Sequence, residues 1–325
     1  MRRFFWICAV CLFILSFVFI FPPEKKYSEE IEKEETSAQS ISIAVVGDIM
    51  LSRSVGKIIT QEDDPLYPFG VSKDFFSDID IVFGNLESPV SQRGTDMGSV
   101  YSFRADPRVV DGLLESGFSV LSLANNHIYD WGSEALLDTV DILSLNGIQT
   151  LGAGKDRDEA SALTLVGERP RVSFLACSDV FGEFARADNG PGLFGCDDSL
   201  LFDRVRESLE VSDIQVVSLH WGEEYESFNQ RQETLAHRLI DEGVDIVVGH
   251  HPHVVQDVAW YNGGVIFYSL GNFIFDQYFS EETMRGMVGV IRVSLKGIES
   301  VSLFESTLSK KYQVQSIVPS SVRLQ

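Results

Sequence analysis

The chain has 325 residues, of which 44% are hydrophobic, 23% charged and 11% aromatic. This apolar content is enough for a packed core and excludes wholesale disorder. Lys and Arg number 26 and Asp and Glu number 48, so the formal net charge is −22. Because nucleic-acid affinity comes mainly from basic side chains that release counterions, the charge argues against nucleic acid as a partner. An anionic substrate would need a metal ion or a few placed arginines.

The N-terminal residues 1–21 predict a single transmembrane anchor. Two arginines precede residues 4–21, an apolar run without charge that is close to the length of about 20 residues needed to span a bilayer. The run ends in bulky residues and two prolines, so an uncleaved anchor is favoured over a cleaved signal peptide. We expect a single-pass protein of the cell membrane with an extracytoplasmic main domain, although Lys25 and Lys26 on the far flank oppose that orientation.

Composition divides the rest of the chain into three parts. Residues 22–40 carry six Glu and three Lys with almost no apolar content, which predicts an acidic tether. Residues 41–310 form one folded domain, and residues 311–325 form a C-terminal tail. Cys177 and Cys196 lie in the domain and either form a disulfide, in an oxidising compartment, or remain buried free thiols.

Short apolar runs alternate with helical stretches after residue 40, which is typical of an α/β domain. Helices are predicted near 107–116, 133–145, 198–210 and 229–242. An Asn262-Gly263-Gly264 turn between two apolar runs predicts a hairpin, and strands at 286–295 and 300–307 follow it. The earlier predicted strands are 41–46, 80–85, 118–124, 172–177, 214–220 and 245–250.

Nearly every predicted strand of the α/β part ends in a group that can bind a metal. In open α/β sheets, ligands bind at the carboxyl ends of the strands, so these groups are expected to converge. Each residue alone has an ordinary explanation as a turn residue, helix cap or core histidine, but together they predict a shared metal site. Imidazole, carboxylate and carboxamide groups suit Zn, Mn or Fe. The groups are Asp48, Glu87, Asn125-Asn126-His127, His220 and His250-His251-Pro252-His253.

The segments that carry these groups resemble the capsule-synthesis family named CapA, which acts in poly-γ-glutamate capsule formation. The resemblance covers about residues 41–280. That family is in turn similar to the calcineurin-like metallophosphoesterases, so the resemblance implies an α/β/β/α sandwich and a two-metal site. The segments are VVGDIMLSRSVG, FGNLESPV, YSFRADP, SLANNHIYDWG, SLHWGEEYE, GHHPHVVQ and YSLGNFIFDQ.

The resemblance also implies a role for each residue that matches the phosphoesterase pattern. His127 would be the general acid, and Glu87 would bridge two metals from the position normally held by aspartate. Met50 stands where the first strand normally carries a histidine ligand. We therefore expect one firm metal site and a weaker, possible second one. The firm set is Glu87, Asn126, His220 and His251, and the weak set is Asp48, Glu87 and His253.

Several further residues are candidates for the same site. Arg104 is predicted to hold an anionic group of the substrate, unless it is an ordinary surface residue. Asn272 is predicted to contact substrate or to cap a turn. Glu223 and Glu224 follow His220 closely and are candidates for orienting imidazoles.

Two functions remain open at this level. The first is a membrane-anchored, metal-dependent hydrolase or transferase of capsule biosynthesis, acting on a phosphoester or an anionic γ-glutamyl polymer. The second is a non-catalytic metal-binding accessory of polymer synthesis or export. Both would work beside capsule-synthase membrane subunits, and His127 favours the enzyme because a binding protein needs no general acid.

Overall fold

The computed structural model describes residues 40–188, 190–322 and 324. The predicted anchor and residues 22–39 of the predicted tether lie outside the described residues. Within the described ranges, no helix is both long enough and apolar enough to cross a membrane.

The larger sheet has eight strands in the described part of the chain. Its middle is parallel, from β1 to β4, and an antiparallel meander of three strands extends it on the side of β1. A short strand, β13, pairs with the end of β1. The strands are β1 (Ile41–Ile49), β2 (Ile81–Leu86), β3 (Phe118–Ser122), β4 (Gln149–Leu151), β13 (Asn272–Ile274), β14 (Arg285–Ser294), β15 (Gly297–Leu308) and β16 (Val314–Pro319).

A second sheet of six described strands has the order β11-β12-β10-β9-β7-β6, with a parallel centre and an antiparallel strand at each edge. Its strands are β6 (Thr164–Val166), β7 (Val172–Ser178), β9 (Ile214–His220), β10 (Ile246–His250), β11 (Val258–Tyr261) and β12 (Gly264–Phe267). A small two-stranded sheet joins β5 (Ala153–Gly154) to β8 (Gly192–Leu193).

Four of the seven described α-helices lie where the sequence predicts them. The side chain of Asp197 accepts hydrogen bonds from the first turn of α6, and Asn229 and Gln232 form a capping box at the start of α7. The described helices are α1 (Arg53–Glu62), α2 (Ser72–Phe75), α3 (Val109–Glu115), α4 (Gly132–Leu145), α5 (Arg157–Ala160), α6 (Asp198–Val211) and α7 (Gln230–Asp241).

Three apolar clusters arrange these elements in four layers. The central cluster lies between the two sheets, where the rings of Phe83 and Phe174 stack with centroids 5.4 Å apart. A second cluster packs α1, α3 and α4 on the outer face of the larger sheet. A third packs α6 and α7 on the outer face of the smaller sheet. The predicted α/β class is therefore confirmed, with the layers in the order α/β/β/α.

The structure contains several short elements that the sequence patterns did not predict, and two longer ones, α1 and β16. Helix α1 begins shortly after β1, the strand that carries Asp48. Strand β16 lies within residues 311–325, the predicted tail, and pairs with β15. The predicted hairpin is present, because Tyr261 pairs with Gly264 across Asn262 and Gly263. Both turn residues have positive φ angles, 46° and 94°, as a type I′ turn requires.

Cys177 and Cys196 form a disulfide, with Cα atoms 5.0 Å apart. Cys177 is fully buried in β7, and Cys196 lies 19 residues further along. The bond closes the segment that contains β8 onto the smaller sheet. The free-thiol alternative is thereby excluded for this pair.

Candidate metal centre

Strand register brings the polar residues of both sheets to one edge. In the larger sheet, Asp48 pairs with Asn85 on one side and with Asn272 on the other. In the smaller sheet, His220 pairs with His250. Each of these residues except Asn272, which begins β13, ends or nearly ends a parallel strand. The carboxyl ends of both sheets therefore supply most of the centre, as the sequence pattern predicts.

Two carboxylates lie at the bottom of the centre. Asp48 and Glu87 are both 0% exposed. The Asn85 amide donates to Oδ1 of Asp48 at 2.9 Å and to Oε2 of Glu87 at 3.1 Å. Oε1 of Glu87 has no hydrogen-bond partner among the described residues. A buried carboxylate oxygen without a donor is costly unless a cation or water meets it, so this atom marks the interior of the site.

His253 faces these carboxylates with a defined nitrogen. Its Nδ1 lies 3.0 Å from Oδ1 of Asn272 and 3.4 Å from Oδ2 of Asp48, while its Nε2 lies 3.6 Å from Oε1 of Glu87. Both neighbours of Nδ1 are acceptors, so Nδ1 carries the proton. The lone pair of Nε2 is therefore directed toward Glu87.

His220, Asn126 and His251 form the other side of the centre. Nε2 of His220 lies 2.8 Å from Oδ1 of Asn126, and the rings of His220 and His251 have centroids 4.8 Å apart. The backbone N–H of His251 donates to Oδ2 of Asp48 at 3.2 Å, and Nδ1 of its buried ring is unpaired among the described residues. All six predicted ligands thus lie around one volume, and all of them except Asn126 are buried.

The backbone of the histidine segment is strained. His251 and His253 have φ angles of 98° and 58°, in the region that favours glycine. Such conformations cost about 1–3 kcal/mol each and persist where surrounding contacts hold them. The hydrogen bond from His251 to Asp48 and the contact of His253 with Asn272 are those contacts.

Close backbone packing fixes the same segment. A Cβ atom on Gly249 would lie 1.9 Å from the carbonyl oxygen of Tyr268, and one on Gly47 would lie 1.9 Å from the carbonyl oxygen of Gly271. Neither position has room for any side chain. Asp48 and His250 therefore follow glycines that let neighbouring strands approach closely.

Burial lowers the pKa values of two histidines of the centre. Burial and the neighbouring His251 lower the pKa of His220 well below its ordinary value. Burial and the neighbouring His253 lower the pKa of His251 to about 4. Both rings are neutral at neutral pH and keep a lone pair that can bind a metal.

The pKa values of the two carboxylates, Asp48 and Glu87, are shifted in opposite directions. Burial alone would raise the pKa of Asp48, but hydrogen bonds from His250 and His253 outweigh it and hold the pKa well below the ordinary value. Burial raises the pKa of Glu87 well above its ordinary value, and the neighbouring charge of Asp48 adds to the rise. A bound cation would favour the ionised form of both groups.

The structure places two further residues at the centre, His250 beside Asp48 and Glu224 as an additional possible ligand. His250 is buried, with its Nδ1 3.3 Å from Oδ1 of Asp48. Glu224 is exposed at the rim, and it can place a carboxylate oxygen within 4.8 Å of ligand nitrogens of His251 and His253. In the sequence, the position of His250 at the end of a predicted strand, next to two predicted ligands, was a usable signal. Glu224 was predicted only to orient imidazoles.

Two groups of side chains place their ligand atoms close together. The predicted weak set, Asp48, Glu87 and His253, is fully buried and has ligand atoms within 4.8 Å of one another. His253 is also shared with the group that contains His251 and Glu224. Neutral imidazoles and buried carboxylates around unpaired atoms fit a divalent transition metal such as Mn, Fe or Zn.

A histidine–aspartate pair lies beside the centre. Nδ1 of His127 is 2.8 Å from Oδ2 of Asp130, which also accepts the backbone N–H of Phe103 at 2.8 Å. The ring of Phe103 stacks on His127 with centroids 3.9 Å apart. The aspartate places the proton on Nδ1 and leaves Nε2 free for proton transfer. Asp130 was missed by the sequence analysis, although its spacing three residues after His127 was a usable signal.

Three other predicted positions have contacts of their own. Met50 is fully buried, and its sulfur lies 3.0 Å from the hydroxyl of Ser52. Arg104 is stacked on Trp131, with the guanidinium carbon 3.4 Å from the ring centroid. Asn272, the predicted substrate contact, is 0% exposed, and its amide oxygen and nitrogen both form hydrogen bonds within the protein, to His253 and to the carbonyl oxygen of Thr283.

The fold and the centre together define a class: a two-sheet α/β protein with a buried imidazole–carboxylate site at the carboxyl ends of its strands. Within that class, the family described as bacterial capsule synthesis protein PGA_cap matches residues 42–277. The chain belongs to this family. The match contains every residue of the centre.

Curated relatives agree with this assignment. The PGA biosynthesis protein CapA of Bacillus subtilis (strain 168) is 34% identical over 285 residues, which cover 84% of this chain and 72% of the relative. The capsule biosynthesis protein CapA of Bacillus anthracis is 34% identical over 251 residues, 74% of this chain and 61% of the relative. A probable polyglutamine synthesis accessory protein of Mycobacterium tuberculosis (strain CDC 1551 / Oshkosh) is 35% identical over 213 residues, 61% of this chain and 56% of that protein.

Two solved structures are similar at lower levels. A Thermus thermophilus protein named TT1561 has a TM-score of 0.44 and 10% identity, and covers 82% of this chain and 98% of its own. The 5'-nucleotidase of Candida albicans has a TM-score of 0.43 and 11% identity, and covers 81% of this chain and 50% of its own. Both likenesses are too weak to transfer an activity.

Proposed function

We propose that the protein is a metal-dependent hydrolase or transferase that acts in capsule or poly-γ-glutamate biosynthesis. The family match and the names of the relatives support the biosynthetic role. The unpaired Oε1 of Glu87, buried opposite Nε2 of His253, is the observation that carries the metal-dependent part. The four-layer fold is of the kind expected for a metallophosphoesterase-related domain.

Metal binding and proton transfer would be carried out by different residues of the chain. Asp48, Glu87 and His253 would hold a divalent ion, with His220, His251 and Asn126 as the facing ligands. Such an ion polarises a carbonyl or phosphoryl oxygen and lowers the pKa of water. His127, held by Asp130 and Phe103, would transfer a proton to the leaving group from Nε2. Its ring is fixed by hydrogen bonding on one edge and by stacking on one face, which suits a positioned acid.

A second candidate function is a non-catalytic accessory that grips polymer through its metal site. The word "accessory" in the name of the mycobacterial relative favours this candidate. The His127–Asp130 pair favours the enzyme, because metal binding alone does not require it. Turnover therefore separates the two candidates, whereas metal content does not.

The proposed location is the outer side of the cell membrane, with residues 1–21 as the anchor and residues 22–40 as the tether. The Cys177–Cys196 disulfide supports it, because disulfides persist mainly in oxidising compartments. Membrane subunits of a capsule synthase and the polymer itself are the proposed partners.

The test is the metal content of the full chain, purified in detergent and equilibrated with Mn, Fe or Zn. Wild type should hold at least one ion, and His253→Ala should lose it. His127→Gln should keep the ion but lose hydrolysis of a phosphoester or a γ-glutamyl polymer. His237→Ala is the matched control, because His237 lies in α7, outside the ligand set, and its ring stacks on Tyr261 of β11. Wild type without bound metal would overturn the proposal.

A further inference from the structure

A cationic groove lies next to the candidate centre on a strongly acidic protein. It has a volume of about 450 Å³ and is lined by residues that follow β1, by one face of α1 and by the segment around Arg104. Three of its lining residues are basic, Arg53, Lys57 and Arg104, and one is acidic, Asp106. Against a net charge of −22, this concentration of positive charge needs a reason.

Two of the three cations are not neutralised within the described chain. Lys57 is exposed and forms no ion pair with a described residue. Arg104 likewise has no carboxylate partner among the described residues; it donates to the carbonyl oxygen of Arg93 at 3.2 Å and stacks on Trp131. The stacking holds the guanidinium in place, so less conformational freedom is lost when it binds an anion.

Arg53 connects the groove to the catalytic side of the centre. Its guanidinium lies 5.3 Å from the ring centroid of Phe103, and Phe103 stacks on His127. Nε of Arg53 pairs at 3.3 Å with Asp276, a side chain that is only 1% exposed. The same carboxylate accepts the backbone N–H of Ser54 at 3.1 Å. Arg53 itself has a left-handed backbone conformation, φ 50°, at the start of α1.

The spacing of the cations suits a chain of anions rather than one. Arg53 and Lys57 are four residues apart on α1, so they are neighbours along one face, about 6 Å apart along the axis. Arg104 approaches from a different segment. A single phosphate would be better served by groups converging on one point.

We propose that this groove binds successive carboxylates of a polyanionic chain and leads it to His127. This inference rests on the proposed function and names the part of the substrate that lies outside the metal centre. The carboxylate polymer is held by ionic contacts at Arg53, Lys57 and Arg104, so its binding weakens with added salt.

The test measures binding of a labelled poly-γ-glutamate of defined length to the full chain in detergent. Lys57→Gln and Arg104→Gln should each raise the Kd about threefold to fivefold, and the double variant about tenfold or more, as expected for partly exposed ion pairs. Lys296→Gln removes one exposed charge at the turn between β14 and β15, and should leave the Kd unchanged. Metal content should be unchanged in all these variants.

The outcomes separate the two proposals. Wild-type polymer affinity in the double variant, with metal still bound, would overturn the groove and leave the proposed function standing. Displacement of the polymer by inorganic phosphate, at a phosphate concentration well below that at which chloride competes, would assign the groove to phosphate and overturn the carboxylate proposal. If an uncharged esterified polymer bound as tightly as poly-γ-glutamate, the carboxylate proposal would also be overturned.

Discussion

Oδ1 of Asn272 accepts the Nδ1 proton of His253 at 3.0 Å, and this contact decides which nitrogen of the imidazole faces Glu87. The orientation of the amide is itself fixed, because its Nδ2 donates to Oε1 of Gln277 and to the carbonyl oxygen of Thr283, both at 3.0 Å. A buried asparagine outside the ligand set thus selects the tautomer of a ligand within it.

Asn272→Ala should weaken metal binding about 10- to 100-fold, because the imidazole loses the acceptor that orients it. Asn272→Asp keeps an acceptor for His253 but turns its second oxygen toward the carbonyl oxygen of Thr283, so it should retain only part of the affinity. Isothermal titration of the metal into the chelator-treated protein measures both. Asn146→Ala, in the exposed end of α4, is the control. Equal affinities for wild type and the alanine variant would show that Asn272 has no part in orienting His253.

Asp130→Asn should lower turnover about 10²-fold or more without changing metal content, because the amide can stabilise the wrong tautomer of His127. Initial rates on p-nitrophenyl phosphate and on a γ-glutamyl polymer, with metal analysis of the same samples, measure the effect. Asp141→Asn removes an exposed carboxylate from α4 and controls for charge. A variant that keeps full rate on the better substrate would exclude the pair from catalysis.

Replacing both Cys177 and Cys196 by serine should lower the free energy of unfolding by about 3 kcal/mol, the expected effect of opening a loop of this length. Urea unfolding of the double variant and of the wild type, with and without reductant, tests this. Reductant should destabilise the wild type and leave the double variant unaffected. A reductant effect of equal size in both proteins would place its origin elsewhere.

Asp245 should make the protein less stable as the pH rises from about 4 to 6. Burial raises the pKa of Asp245 to about 6, against a backbone hydrogen bond from Gln215 that opposes the rise. The folded state therefore holds the proton more tightly than the unfolded state, and this preference is lost as the pH rises through the folded pKa.

Asp245→Asn removes that penalty and keeps an acceptor for the Gln215 N–H. It should stabilise the protein by about 1–3 kcal/mol at pH 7.5 and by little at pH 4, because the pKa of Asp245 in the folded protein is raised to about 6. Urea midpoints at both pH values measure the difference. Asp78→Asn, which removes an exposed carboxylate, should change neither midpoint appreciably.

The parts of the fold that could be predicted from sequence are those in which local pattern and burial agree. Strand β9 ends at His220, as predicted, because an apolar run flanked by polar groups describes a buried parallel strand. Helix α1 was missed because no N-cap hydrogen bond marks its start and Arg53 enters it with a positive φ. Strand β16 was missed because it is an edge strand that is mostly only partly buried or exposed.

The centre was predictable in its ligands and less so in its supports. Asn85 bridges two carboxylates only because β2 lies beside β1, a relationship between strands that no local pattern contains. The pairing of Asn272 with His253 joins positions 19 residues apart through a buried contact. Ligand types follow from side-chain chemistry, whereas the residues that orient them depend on strand register.

The two sheets contribute opposite halves of the centre. Asp48 and Glu87 belong to the larger sheet, and His220 and His251 lie at the end of the smaller one. An ion held by both halves would act as a cross-link between layers that otherwise meet mainly through apolar packing. Its binding energy would then add to the free energy of folding, by mass action with the free ion. The stability of the domain would become a readout of metal supply in its surroundings, and starvation for the ion would loosen the sandwich at the edge where substrate enters.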